Sequence, residues 1–113
     1  MSYKHFDIGK GAEIIGDEET FLMLLGRYKE ELQTKVASIL SAWDKKDYQT
    51  MRKDAHALKG SSGYAAADHL QRTCEAIQLA VDKNQLDSLP QLIDDFRTVS
   101  TEAKDELDRI TAG

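Results

Sequence analysis

The sequence predicts an all-α protein, an antiparallel up-down four-helix bundle with a short N-terminal capping helix. Apolar residues recur at three- and four-residue steps in four successive stretches, which short polar breaks separate. No segment alternates between apolar and polar residues as a half-buried strand would. A chain of 113 residues with 41% hydrophobic residues can bury a core without disulfides. We therefore expect one domain over residues 1–113.

The capping helix and the first long helix are expected on either side of Asp17. Residues 6–16 carry isoleucines between glycines, a pattern typical of a short helix at one end of a bundle. Asp17 is a candidate N-cap, and the two glutamates after it lie where the helix dipole favours negative charge. The apolar stripe that follows is Phe21, Leu25, Tyr28, Leu32, Val36, Ile39 and Trp43.

The second long helix is expected after the polar break 44–47, with Asp47 as its cap. Its stripe is Tyr48, Met51, Ala55, Leu58, Ser62 and Ala65. Asp68 with Gln71, and Ser88 with Gln91, have the spacing of capping boxes and predict the starts of the third and fourth helices. The third stripe is Leu70, Cys74, Ile77 and Val81, and the fourth is Leu89, Leu92, Phe96, Val99, Ala103, Leu107 and Ile110.

Composition excludes several classes of function. The net charge of −5 argues against a nucleic-acid-binding protein, and no apolar run is long enough to cross a membrane. The chain lacks a signal-peptide pattern, and its single cysteine, Cys74, favours a reducing compartment, so we expect a cytoplasmic protein. Within this acidic chain, residues 45–59 hold five basic and two acidic side chains. Such a basic island predicts one anionic ligand or partner.

His56, on the second long helix, lies in a sequence context that core packing does not explain. On a helical wheel it falls roughly 120° from the centre of the apolar stripe, on the solvent side. Gly60 and Gly63 follow on the same face, although each interior glycine costs a helix up to about 1 kcal/mol. Local propensity alone would make this segment a loop. The apolar phase continues through Ser62 and Ala65, however, and therefore predicts a continuous helix with a bare patch beside the histidine, where a partner can come close.

The side chains near His56 suit phosphoryl transfer. A neutral imidazole is a nucleophile near pH 7, because its ordinary pKa is ~6.5. Arg52, Lys53 and Lys59 lie within one turn and could stabilise the charge of an added phosphoryl group. An ordinary surface histidine among solvated lysines has the same spacing, so spacing alone leaves both interpretations open.

The run from Ala55 to Ser62, Ala-His-Ala-Leu-Lys-Gly-Ser-Ser, resembles the signature of histidine phosphotransfer (HPt) domains. The likeness extends over nearly the whole chain, including Gly16-Asp17-Glu18 and the Leu70, Cys74, Ile77 spacing. The resemblance implies a monomeric bundle that carries phosphoryl groups and is not itself an enzyme. Its expected partners are receiver domains, both of response regulators and of a hybrid histidine kinase.

The resemblance also implies a role for individual residues. His56 would be the phosphoacceptor, and Lys59 would position or neutralise the phosphoryl group. Gly60 would give a receiver domain room to approach. With Gly63, Arg52 and Lys53, it forms the expected docking surface. No cofactor is expected.

Two positions depart from the family pattern. Ala66-Ala67 stands where the family has Gly-Ala, and alanine costs on the order of 1 kcal/mol where such a glycine has positive φ. Gln78 stands where a glutamate is common, and we expect it to alter surface charge only.

Other candidate sites are weaker. Cys74 lies in an apolar stripe, which indicates that it belongs to the core. His69 is expected at the surface, and His5 has no distinguishing pattern. No ligand spacing typical of a metal site occurs, and Lys59-Gly60-Ser61-Ser62 lacks the strand and leading glycine of a P-loop. A helical adaptor that binds a response regulator without phosphoryl transfer is the alternative function. A self-contained enzyme is a third, which no visible base or metal site supports.

Overall fold

The computed structural model describes residues 3–112, and in this part of the chain the five expected helices form. They are α1 (Ile8–Ile15), α2 (Glu18–Asp44), α3 (Tyr48–Tyr64), α4 (Asp68–Asp82) and α5 (Leu89–Thr111), with a single 3-10 turn at Leu86–Ser88. No helix among the described residues is both long and apolar enough to span a bilayer.

The four long helices form a bundle, as predicted. In it α2 contacts α3 and α5, α4 contacts the same two helices, and α1 packs on α2. At 1.5 Å per residue, the 27 residues of α2 span about 40 Å, which matches the longest dimension of the molecule, 41 Å. The short connections 45–47 and 65–67 make successive helices antiparallel.

Aspartates cap three helices. Asp7, Asp17 and Asp47 each have a non-helical backbone, and their side chains accept a hydrogen bond from the backbone N–H three residues later. The caps predicted at Asp17 and Asp47 are therefore confirmed.

Both predicted capping boxes are wrong. Ala67 is the N-cap of α4, so Asp68 lies inside the first turn and its carboxylate instead accepts from Lys10 Nζ at 3.2 Å. Ser88 already has a helical backbone (φ −80°, ψ −19°), because the 3-10 turn leads directly into α5. An N-cap side chain reaches the first-turn N–H groups only from an extended backbone, so Ser88 forms no such bond.

The predicted stripes meet in one hydrophobic core. Six stripe positions are half-buried rather than buried: Val36, Trp43, Tyr48, Val81, Leu92 and Ile110. The fully buried large side chains are Phe21, Leu25, Leu32, Ile39, Met51, Leu58, Leu70, Ile77, Leu89, Ile93, Phe96 and Leu107.

Polar contacts set the rotation of α3 against α2. Tyr28 Oη and Ser62 Oγ lie 2.6 Å apart in the core, and burial raises the pKa of the Tyr28 phenol. Asp54, also buried, is hydrogen-bonded by Ser38 and lies 3.4 Å from Lys35 Nζ. Because these contacts hold one face of α3 against α2, the opposite face, with His56, lies in solvent.

The turn between α3 and α4 places an alanine in the left-handed backbone region, the case in which the Ala66-Ala67 departure from the family pattern has a cost. Ala66 has φ +55° and is buried. Its carbonyl accepts a hydrogen bond from the backbone N–H of Asp7 at 3.2 Å, which ties the N-terminal segment to this turn. An L-residue in this left-handed region costs roughly 1–2 kcal/mol.

Candidate functional site

His56 lies on an uninterrupted α-helix. α3 continues through Gly60 and Gly63 to Tyr64, so the continuous-helix prediction is confirmed and the loop interpretation is wrong. A Cβ atom added at Gly60 would meet nothing within 4 Å, whereas one added at Gly63 would lie 2.6 Å from Gln71 Nε2. The bare patch is therefore open at Gly60 and bordered by the Gln71 amide at Gly63.

Gln78 contacts His56, which sequence reasoning missed. Gln78 is 9% exposed, and its Oε1 lies 3.0 Å from His56 Nδ1. The expectation that Gln78 alters surface charge only is therefore wrong. The cause is the packing of α4 beside α3, which turns Gln78 toward the histidine. Its position one helical turn after Cys74, at the edge of the buried stripe, is the signal that could have indicated this.

The bond to Gln78 defines the tautomer of a neutral His56. An amide oxygen only accepts hydrogen bonds, so Nδ1 must carry the proton that it donates to Oε1. The other ring nitrogen, Nε2, then keeps its lone pair. His56 is an exposed residue, so the arrangement presents an oriented nucleophile at the surface.

Arg52 is paired with α4. Its Nε lies 2.5 Å from Asp82 Oδ1, and its Nη2 lies 3.4 Å from Oδ2. The hydrogen bond from Arg52 is the main reason that the pKa of the Asp82 carboxyl lies below its ordinary value. The positive charge of Arg52 is therefore paired with Asp82 inside the protein, one helical turn before His56.

Two lysines flank His56 without such pairing. Lys53 is exposed and Lys59 is half-buried, and neither forms an ion pair with a carboxylate among residues 3–112. At three residues before and after His56, both can reach an anion bound to its ring. No group of three or more metal-ligating side chains has a suitable arrangement in the described part of the chain.

The other candidates lie away from this face. Cys74 is buried in the core, where burial raises the pKa of its thiol to about 12. His5 is buried with its Nε2 2.8 Å from Glu102 Oε1, and its ring stacks on exposed His69 at 5.5 Å between centroids. These two histidines join the N-terminal segment to α4 and α5.

Comparison with known proteins shows which family and which solved structure the chain is similar to. The family model of the Hpt domain matches residues 23–113, which include the whole of α3 and α4. The fold is similar to that of histidine-containing phosphotransfer protein B from Pseudomonas aeruginosa PAO1, with a TM-score of 0.82 and 21% sequence identity. The match covers 98% of this chain and 97% of that one. No protein of curated function matches the sequence.

Proposed function

The chain belongs to the Hpt domain family, whose members are histidine-containing phosphotransfer intermediates of phosphorelays, and we propose that His56 is its phosphoacceptor. The observation that carries this proposal is the His56–Gln78 hydrogen bond, which leaves Nε2 as a free nucleophile on an exposed helix face. His5 is buried against Glu102 and does not offer a comparable surface nucleophile.

This tautomer allows His56 to take a phosphoryl group from a receiver domain. The Nε2 lone pair of His56 forms a bond to the phosphorus of a receiver's aspartyl phosphate. The bond between phosphorus and the aspartate oxygen breaks, and its electron pair leaves with the aspartate carboxylate. The proton on Nδ1 stays in its bond to Gln78 Oε1, where it helps to stabilise the positive charge that the ring gains. The reverse sequence delivers the group to another receiver.

Nearby residues prepare the surface for this reaction. Lys59, and with it Lys53, would attract the phosphoryl oxygens and neutralise part of their charge. Gly60, with open space above it, would let the receiver's aspartate approach the ring in line. Gly63 and Arg52 belong to the rim of the docking surface, Gly63 beside Gln71 and Arg52 in its ion pair.

We expect the partners to be receiver domains of response regulators and of a hybrid histidine kinase. In this proposal residues 1–113 act as one monomeric, cytoplasmic domain that carries the group without turnover of its own. It needs no cofactor, and any magnesium ion required would belong to the receiver's aspartate pocket.

The test is phosphoryl uptake from a receiver domain charged with acetyl phosphate, followed on a phosphate-affinity gel. Wild-type protein should shift, His56→Gln should not, and His69→Gln should shift like the wild type. Circular dichroism should show the same helix content in all three, because both positions are exposed. Uptake by His56→Gln would overturn the assignment. Binding of the receiver without any uptake by the wild type would instead support the adaptor function.

A further inference from the structure

Tyr64, the last residue of α3, exposes an aromatic ring on the helix that carries His56. At 67% it is the most exposed of the large hydrophobic side chains among residues 3–112. The ring does not belong to the hydrophobic core, and it has no part in the chemistry at His56. Tyrosine is enriched where one protein surface meets another.

His56, Gly60 and Tyr64 follow one another at intervals of four residues on an uninterrupted helix. Residues at this spacing are neighbours on a helix surface, and Tyr64 lies about 12 Å along the axis from His56. Gly60, between them, has no side chain, and a Cβ atom added there would meet nothing within 4 Å. The surface that leads from the imidazole to the phenol ring is therefore open at its middle.

Tyr64 also forms one wall of a groove between α2 and α3. This α2–α3 groove has a volume of about 250 Å³ and is lined by Leu24, Arg27, Tyr28, Glu31, Ser61 and Tyr64. Pockets for small molecules usually have volumes of roughly 300–1,000 Å³. The groove is therefore of a size that suits one side chain of a partner rather than a cofactor.

Two of the hydroxyl groups that line the groove are already hydrogen-bonded inside the protein. Ser61 Oγ donates to the carbonyl oxygen of Leu58 at 3.2 Å, and Tyr28 Oη lies 2.6 Å from Ser62 Oγ. An apolar side chain can therefore enter the groove without leaving either hydroxyl unpaired. A charged side chain would lose its hydration there without gaining a partner from these groups.

A receiver domain that reaches His56 also covers Tyr64. A protein–protein interface of ordinary size buries about 800 Å² on each partner, which is a patch of about 16 Å radius if it is circular. Tyr64, about 12 Å from His56 along α3, lies within a patch of that radius centred on the histidine. Buried tyrosines are among the residues whose loss weakens an interface most.

We infer that Tyr64 anchors the receiver domain on this protein, with an apolar side chain of the receiver seated beside its ring in the α2–α3 groove. The inference rests on the proposed function of His56 and adds a residue that determines affinity without taking part in the chemistry. It also gives a basis for specificity, because a receiver with a charged side chain at the matching position would bind less tightly.

The test is the affinity of Tyr64→Ala for the uncharged receiver domain of the uptake assay, measured by isothermal titration calorimetry. We expect the Kd to rise about 30-fold, the factor that one strong interface residue represents. Tyr64→Phe keeps the ring and should bind nearly as tightly as the wild type. Arg97→Ala, which shortens an exposed side chain of α5, is the control and should leave the Kd unchanged. The urea midpoint should stay close to that of the wild type in all three variants, because both positions are exposed.

Single-turnover transfer from the charged receiver separates recognition from chemistry. At saturating receiver concentration, Tyr64→Ala should transfer at the wild-type rate, whereas at low concentration it should be slower by the factor lost in affinity. An unchanged Kd in Tyr64→Ala would overturn the inference, and so would a slower rate at saturation.

Binding of the uncharged receiver involves no phosphoryl group, so it tests the role of Tyr64 separately from the phosphoacceptor assignment. Uptake by His56→Gln would end that assignment and leave the Kd of Tyr64→Ala to decide the role of the tyrosine. Conversely, loss of uptake in His56→Gln together with tight binding by Tyr64→Ala would keep the assignment and end the inference. A wild-type protein that binds no receiver would overturn both.

Discussion

Gln78 Oε1 and His56 Nδ1 lie 3.0 Å apart and join α4 to α3 at the exposed histidine. The contact explains how a surface imidazole acquires a single orientation without being buried. One bond holds the ring and specifies which of its nitrogens has the lone pair.

Replacing Gln78 should therefore slow transfer with little loss of helix content. Gln78→Leu keeps a good helix former of similar size, without a branch at Cβ, but removes the acceptor for Nδ1–H. We expect phosphoryl uptake to be about five- to tenfold slower, the factor that loss of one hydrogen bond represents. Initial rates with a charged receiver measure it. Gln91→Leu on α5, away from the site, is the control, and equal rates for Gln78→Leu and wild type would contradict the prediction.

Substitutions at Gly60 should change the stability of the protein and its rate of phosphoryl transfer independently. Gly60→Ala should raise the free energy of unfolding by about 0.4–1 kcal/mol, because the position is helical and open. Gly60→Gln should also fold, but its longer side chain would hold the receiver away from His56. About 1 Å of added distance can reduce the rate on the order of 10²-fold.

The measurements are the urea midpoint and the rate of phosphoryl uptake, taken on the same samples. Gly26→Gln is the matched control, since Gly26 lies in α2 with equally open space around it and should not affect transfer. A full transfer rate in Gly60→Gln would show that the receiver does not dock over Gly60.

The turn before α4 offers a second stability test. Ala66→Gly should raise the free energy of unfolding by about 1 kcal/mol, because glycine removes the strain of the positive φ. Ala65→Gly is the control. Ala65 has φ −82°, so there the change should destabilise the protein by about 0.5–1 kcal/mol. Urea denaturation measures both variants, and the slope of the unfolding free energy against urea concentration should stay unchanged. Destabilisation by Ala66→Gly would contradict the strain argument.

His69 should make stability depend on pH. Partial desolvation of the His69 ring, which is otherwise exposed, lowers its pKa, and the charges of His5, Arg72 and Lys4 lower it further, against a smaller opposing effect of Glu102. The folded protein thus binds the His69 proton less readily than the unfolded chain does. The stability is fully present above the unfolded pKa of ~6.5 and falls as the pH drops below it.

Urea midpoints between pH 8 and pH 5 test this dependence. His69→Gln should flatten the decrease that begins near the unfolded pKa of ~6.5. A profile for His69→Gln identical to that of the wild type would show that another group causes the decrease.

The sequence predicted the bundle well because the information for it is local. The four stripes and the caps at Asp17 and Asp47 depend on residues within one or two turns of each other. The continuity of α3 through its glycines was likewise predictable from the unbroken phase of the stripe. The two capping boxes failed because the backbone just before each helix, at Ala67 and at the 3-10 turn, decides whether a cap can form.

The environment of His56 was harder to predict. Its exposure and the lysines near it follow from the spacing on α3 alone. The contacts of His56 with Gln78 and of Arg52 with Asp82 join residues 22 and 30 positions apart. They depend on how far α4 is rotated against α3, which the core packing of both helices sets and a single helical wheel does not show.

The most direct test of the account is to locate the phosphoryl group on the protein itself. Wild-type protein labelled with ¹⁵N-histidine is phosphorylated by a charged receiver, and the phosphorus–nitrogen coupling is measured by NMR at alkaline pH, where a phosphoramidate is stable. The account predicts one phosphorylated nitrogen, Nε2 of His56, and no signal in His56→Gln. Coupling to Nδ1 of His56, or to any nitrogen of His5 or His69, would contradict it.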